Sequence, residues 1–242
     1  MDLDNTTTVA EIVSQNVLTA DVFKKNGIDF CCNGNVSLKD VCHKKGISFN
    51  KVTKQIEELK LKSKVEYAYD KLDLDDLIDH IENKHHNYVE EATQLIIQYA
   101  DKVAKVHGHC YTEVVKVNQI FHELASELAG HMKKEELILF PYIKNLAEAK
   151  RVNMQINPPR FGTSQNPIRN MEYEHDLAGH KMRQIQEITK NFEPPAEACN
   201  TFKALYAKLK EFQEDLFLHI HLENNILFPK AIALEQELMI NK

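Results

Sequence analysis

The amino-acid sequence predicts an all-α protein: a four-helix bundle over residues 74–242, preceded by a small helical domain. Three observations carry that expectation. Apolar residues recur at helical spacing along four long stretches. Gly and Pro number only seven each in 242 residues and Trp is absent, which suits long helices better than a turn-rich β fold. Three of the seven prolines gather in "NPPRFGTSQNP", which must be a long loop in the middle of the bundle.

The elements follow in chain order. Residues 1–61 read as a domain of short helices. "TVAEIVSQN" comes first, then "ADVFKKNG", which is stopped by Gly27. "IDFCCNGN" makes a loop, "SLKDVCHKKG" runs from a Ser37 cap to Gly46, and "NKVTKQIEELKLK" closes the domain. The polar stretch "KSKVEYAYDKLD", residues 62–73, is a linker. Beyond it lie the four stripes. The first runs Leu74, Leu77, Ile78, Ile81, His85, Tyr88, Ala92, Leu95, Tyr99, and the second Val117, Phe121, Leu124, Leu128, His131, Glu135, Leu139, Tyr142. The third is Ile168, Met171, His175, Ala178, Met182, Ile185, and the fourth Phe202, Leu205, Leu209, Phe212, Leu216, His219, Glu223, Leu227. Four long amphipathic helices joined by three connections describe a bundle.

Composition excludes several classes of function. A net charge of −6 without a basic stripe argues against nucleic acid as a partner. The apolar runs "LII" and "LILF" are too short to cross a bilayer, and "MDLDNTTTVAEIV" has no secretory pattern. Five cysteines, an odd number, then fit reduced thiols and a cytoplasmic location better than a disulfide framework.

Each stripe is interrupted by polar residues on its core-facing side. The intruder is one histidine on stripes one and three, His85 and His175. On stripes two and four it is a His-x-x-x-Glu pair, within "HMKKEELILFP" and "HIHLENNILFP". Residues at i and i+4 share a helix face, so four imidazoles and two carboxylates converge on one core. A single histidine on an apolar stripe is usually a hydrogen-bonded core residue. Four such stripes with matching offsets are not explained that way. Buried carboxylates and imidazoles are very costly without partners, and a pair of metal ions satisfies them. Mixed imidazole and carboxylate ligation suits iron, with Glu135 and Glu223 placed to bridge; ligand type alone leaves zinc and manganese open.

With these residues in view, the sequence resembles the hemerythrin-like superfamily, and within it the iron–sulfur cluster repair di-iron proteins. "IDFCCNGN", "HMKKEELILFP", "MEYEHDLAGH", "PPAEAC" and "HIHLENNILFP" carry the resemblance across nearly the whole chain. It implies a hemerythrin-like bundle holding two non-haem irons per chain, oxo- and carboxylate-bridged, with His85, His131, Glu135, His175, His219 and Glu223 as ligands. At the first position only periodicity favours His85 over His86. Glu127 and Glu174 are candidates to hydrogen-bond the ligands. His221, nearly opposite His219 on its helix, is expected outside the site. Oxygen-carrying hemerythrins place a second histidine four residues on in the third helix; here that residue is Gly179, which argues against a simple oxygen store.

The resemblance further implies repair of clusters damaged by nitrosative or oxidative stress by supplying iron to damaged or apo iron–sulfur proteins. Nitric oxide reduction, or sensing of oxygen or nitric oxide, is the alternative. Cys31 and Cys32, adjacent in a Gly-containing loop, are expected to be redox or iron-transfer thiols. A small N-terminal domain with little core of its own suggests a homodimer. Cys42, Cys110 and Cys199 read as ordinary part-buried thiols.

Overall fold

The computed structural model describes residues 6–62 and 69–240. Their regular structure is helical, and the one β-bridge among them pairs Thr8 with Ser37. The N-terminal helices start where capping chemistry allows. Helix α1 (Val9–Gln15) opens on a capping box: Thr8 Oγ1 accepts the Glu11 amide at 3.1 Å, and the Glu11 carboxylate accepts the Thr8 amide at 2.7 Å. Helix α2 is Thr19–Lys25. Helix α3 (Leu38–Lys45) runs from the Ser37 cap to Gly46, whose φ of 67° ends it in the left-handed region that glycine tolerates. Helix α4 is Phe49–Lys62.

The bundle helices are α5 (Leu74–His80) continuing into α6 (Asn87–His107), α7 (Thr112–Lys134) into α8 (Phe140–Arg151), α9 (Gln165–Ile188), and α10 (Asn200–Leu222) into α11 (Phe228–Ile240). Three of the four stripes therefore contain a break in α-helical register that periodicity does not reveal. Single π-helical turns, each wider than an α-turn, occupy Ile81–His86, Glu135–Leu139 and Glu223–Leu227. In the last two cases a proline, Pro141 or Pro229, stands two residues past the turn. Proline has no N–H to donate and its ring collides with the carbonyl four residues back. A widened turn at Leu137 and Asn225 relieves both problems.

The chain divides into two compact units: Met1–Ile78, Leu146–Pro158 and Phe217–Lys242 form one, Asp79–Asn145 and Pro159–Leu216 the other. In the second unit α6 packs on α7, α7 on α9, and α10 joins through Phe212, whose ring meets Phe121 edge-on at 5.3 Å. In the first, Val9, Ile12, Phe23, Leu38, Val52 and Ile56 are buried in a core shared by α1 to α4, and α1 also packs on the Glu223–Leu227 turn. The division does not fall at the expected linker. Residues 63–68 lie outside the described residues; of the rest, Lys230 Nζ donates to the carbonyls of Asp70 (2.6 Å) and Leu72 (2.9 Å) and anchors the segment.

The Cys-Cys loop is fastened to α1. The amides of Val9 and Ala10 donate to the carbonyls of Val36 (3.1 Å) and Gly34 (2.8 Å). A Cβ on Gly34 would lie 2.5 Å from the Phe30 carbonyl oxygen and 2.8 Å from Ala10 Cβ. Gly34→Ala is therefore expected to destabilise the chain by about 1–3 kcal/mol through overpacking, read as a lowered denaturant midpoint; an unchanged midpoint would mean the loop is not held as described.

Candidate metal centre

The α6, α7 and α9 helices each bring an imidazole to one carboxylate. His131 and Glu135 sit one turn apart at the α7 end, and His175 faces them from α9. All three are buried, with ligand atoms within 4.8 Å of one another. His131 Nε2 stands 2.9 Å from His175 Nε2 and 3.2 Å from Glu135 Oε2. His86 Nε2 lies 3.6 Å from the same Oε2.

Carboxylates behind these rings fix their orientation. His131 Nδ1 donates to Glu174 Oε2 at 2.8 Å, His86 Nδ1 to Glu136 Oε1 at 2.7 Å, and His85 Nδ1 to Asp215 Oδ1 at 2.9 Å. An ionised carboxylate can only accept, so each Nδ1 carries hydrogen. The neutral ring then presents a bare Nε2, the tautomer a metal ion requires. Burial alone would raise the Glu174 carboxyl, but its bonds from Lys134 and His131 hold it below the usual carboxylate value.

Against the sequence expectation, His86 rather than His85 turns toward Glu135. The cause is the π-turn Ile81–His86: an i+4 step from Ile81 selects His85, whereas the wider turn brings the i+5 residue to that face. His85 is buried one step around, bonded to Asp215. Glu174 does contact the imidazole of His131. Glu127 does not; its carboxylate pairs with Lys181 at 2.8 Å on the surface. Glu136 and Asp215 escaped the sequence reading because each meets a histidine far away in the chain. Cys42 is fully buried, whereas Cys110 and Cys199 are exposed, the latter 3.2 Å from His107 Nε2.

The second His-x-x-x-Glu pair lies in the other unit. His219 Nε2 and Glu223 Oε1 are 3.0 Å apart and buried. His221, on another face of the same helix and outside the His219–Glu223 pair, is also buried. Its Nε2 meets Ser14 Oγ at 3.3 Å and its Nδ1 the Phe30 carbonyl at 3.2 Å. Burial pushes its pKa down to about 4, opposed by the Phe30 bond. Asn225 Nδ2 donates to the Cys31 carbonyl at 3.0 Å. Together His221 and Asn225 grip the Cys-Cys loop.

Whether these residues fit a metal is decided at Glu135. It is fully buried, yet neither of its oxygens accepts a hydrogen bond among the described residues. A carboxylate in that state is costly, and a cation among the surrounding Nε2 atoms removes the cost. His131 and His175 point their Nε2 atoms at each other in the same way: either a proton or a metal ion must lie between two nitrogen lone pairs. Both observations suit iron. A cavity of about 410 Å³ lined by Gly130, Lys134, Tyr173 and Leu177 reaches His131 and His175.

A helical bundle with a buried imidazole–carboxylate cluster defines the class of hemerythrin-type cation-binding proteins. Residues 76–231 match the hemerythrin HHE cation-binding domain, and residues 5–60 match ScdA_N, a domain of unknown function (DUF542). The chain is 36% identical to a probable iron–sulfur cluster repair protein of Haemophilus influenzae, over 87% of this chain and 90% of the relative. It is 30% identical to the iron–sulfur cluster repair protein ScdA of Staphylococcus haemolyticus, over 94% and 99%. Against the repair protein YtfE of Salmonella typhimurium it is 36% identical over 88% and 90%. The chain belongs to the hemerythrin-like family of iron–sulfur cluster repair proteins. No helix among the described residues is long and apolar enough to cross a membrane.

Glu135 gives a stability test independent of activity. In protein stripped of metal by a chelator, Glu135→Gln is expected to raise the unfolding free energy by about 1–3 kcal/mol, because an unsatisfied buried carboxylate is replaced by a neutral amide. A lower midpoint in the stripped variant would show that the carboxylate is already satisfied by the protein.

Proposed function

We propose that this protein restores damaged iron–sulfur clusters by supplying iron from a dinuclear centre held by His86, His131, Glu135, His175, His219 and Glu223. The observation that carries the proposal is the unsatisfied carboxylate of Glu135 among imidazoles whose Nδ1–H groups are committed to carboxylates. The continuity of α10 supports including His219 and Glu223. Asp215, bonded to His85, precedes His219 by one turn on the same helix face. Two ferrous ions bound there would supply exchangeable iron and one-electron redox chemistry. The residues around them do the rest. Glu136 and Glu174 hold the rings of His86 and His131, while burial of the ligands excludes bulk water. The names of the relatives supply the client class, iron–sulfur proteins whose clusters are damaged or missing.

The cavity that reaches His131 and His175 favours one further reading: entry of a small ligand such as nitric oxide or oxygen, with nitric oxide reduction as the alternative activity. Two measurements separate them. Iron transferred stoichiometrically to an apo or damaged iron–sulfur enzyme, with its activity restored, supports repair. Steady-state consumption of nitric oxide with an electron donor, without iron loss, supports reduction and would overturn the iron-donor proposal.

The ligand set predicts about two irons per chain. Glu135→Ala and Glu223→Ala are expected to lose most of that iron, His86→Ala more than His85→Ala, measured by metal analysis after gel filtration. Iron retained by His86→Ala and lost from His85→Ala would return the ligand assignment to the unbroken helical period. A single zinc in place of iron would reject the dinuclear iron centre.

A further inference from the structure

The Cys31–Cys32 loop holds a third potential ligand that the sequence reading did not name. Asp29, Cys31 and Cys32 place a carboxylate oxygen and two sulfurs within 4.8 Å of one another. Cys31 Sγ lies 3.5 Å from Cys32 Sγ and 3.3 Å from Asp29 Oδ1. In a tetrahedral site with metal–sulfur bonds of about 2.3 Å and metal–oxygen bonds of about 2.1 Å, the corresponding edges are about 3.8 and 3.6 Å. The two edges at Cys31 Sγ are already close to those of such a tetrahedron, and the third pair of ligand atoms lies within 4.8 Å.

The scaffold around them is built to hold that shape. Asp29 Oδ1 accepts the amides of Cys31 and Cys32, each at 3.1 Å, and Oδ2 accepts Asn33 Nδ2 at 3.0 Å. Gly34 fits only without a side chain, and Asn225 and His221 hold the carbonyls of Cys31 and Phe30 from the helix turn that carries Glu223. Cys31 is buried, whereas Cys32 and Asp29 are half-exposed, so one side of the group opens to solvent.

We propose that Asp29, Cys31 and Cys32 form a second metal site, a thiolate-rich one for a borderline divalent cation such as Fe²⁺ or Zn²⁺, with the fourth position left to water or a sulfur ligand of a client. In the cation-free chain the Cys31 thiol bonds Asp29 Oδ1. Binding replaces that proton: M²⁺ and two thiols give a dithiolate complex and two protons, with no change of oxidation state. The bond to Cys32, followed by burial, pushes the Cys31 thiol well above its ordinary value, so the cation competes with a proton for that sulfur. The site deepens the repair reading by giving departing iron a sulfur-ligated stop before a client, but its existence does not depend on that reading.

The test is an anaerobic titration of the full, reduced, iron-loaded chain with Co²⁺ alone. A near-ultraviolet thiolate-to-cobalt charge-transfer band is expected to saturate at one equivalent, with release of two protons and no loss of iron. His and Glu ligands cannot give this band. While both thiols are protonated, the apparent affinity should fall about a hundredfold per unit drop in pH, as two displaced protons require. Cys31→Ser with Cys32→Ser removes the band, and Cys32→Ser alone, at the half-exposed position, serves if the double variant misfolds. Asp29→Asn should weaken binding by about tenfold or more. Absence of the band in the native chain overturns the site, as does its persistence without both thiols, or an unaltered affinity in Asp29→Asn. Because the band reports the loop directly, its loss and the loss of cluster repair are separable results.

Discussion

Much of this fold is organised around a buried carboxylate that accepts no hydrogen bond among the described residues. Glu135 is fully buried, with neither oxygen accepting a hydrogen bond among the described residues, a position no folding argument favours by itself. Three imidazoles approach it, and two of them are steered by a carboxylate from behind: Glu174 for His131 and Glu136 for His86. A cation held among these imidazoles would recover the stability lost to polar burial. The long apolar stripes of α6, α7, α9 and α10 then act as ballast, supplying enough packing to keep the chain folded around an unfavourable centre.

The helices were legible in the sequence because each buries a stripe spaced at 3.6 residues, and the caps at Thr8, Ser37 and Gly46 could be read because they depend only on neighbouring residues. The polar intruders were legible for the same reason: His131, Glu135, His175, His219 and Glu223 occupy stripe positions. What could not be read was any feature that breaks the period or joins distant segments. The widened turn at Ile81–His86 brings His86 toward Glu135, where an unbroken period selects His85. Asp215 and Glu136 look like ordinary surface acids until the histidine that each supports is known. Glu127 shows the converse, since a helical step from His131 suggested a partner and Lys181 claimed it. The motif "ILFP" does offer a local clue: a proline one or two residues beyond an apolar run within a continuing helix requires a local adjustment upstream.

The N-terminal loop follows a different logic from the bundle. Its polar atoms are satisfied rather than stranded. Asp29 gathers two amides and an asparagine, and the carbonyls of Phe30 and Cys31 are taken by His221 and Asn225. The Glu223–Leu227 turn thus presents Glu223 on one face and grips the thiol-bearing loop with another. One stretch of helix would serve both proposed sites, hard-ligand and soft-ligand, without mixing their donor atoms.

The prolines behind the two widened turns have a consequence for the proposed release of ions from the centre. A π-turn in an ordinary helix can migrate, since moving the extra residue by one position exchanges one set of backbone hydrogen bonds for another. Pro141 and Pro229 block that slippage, because any shift brings a carbonyl against the pyrrolidine ring. The spacing of Glu135 and Glu223 along their helices is therefore written into covalent geometry rather than imposed by the cation. A chain that gave up ions under this proposal would keep their mould, and refilling it would require no helix to be rewound.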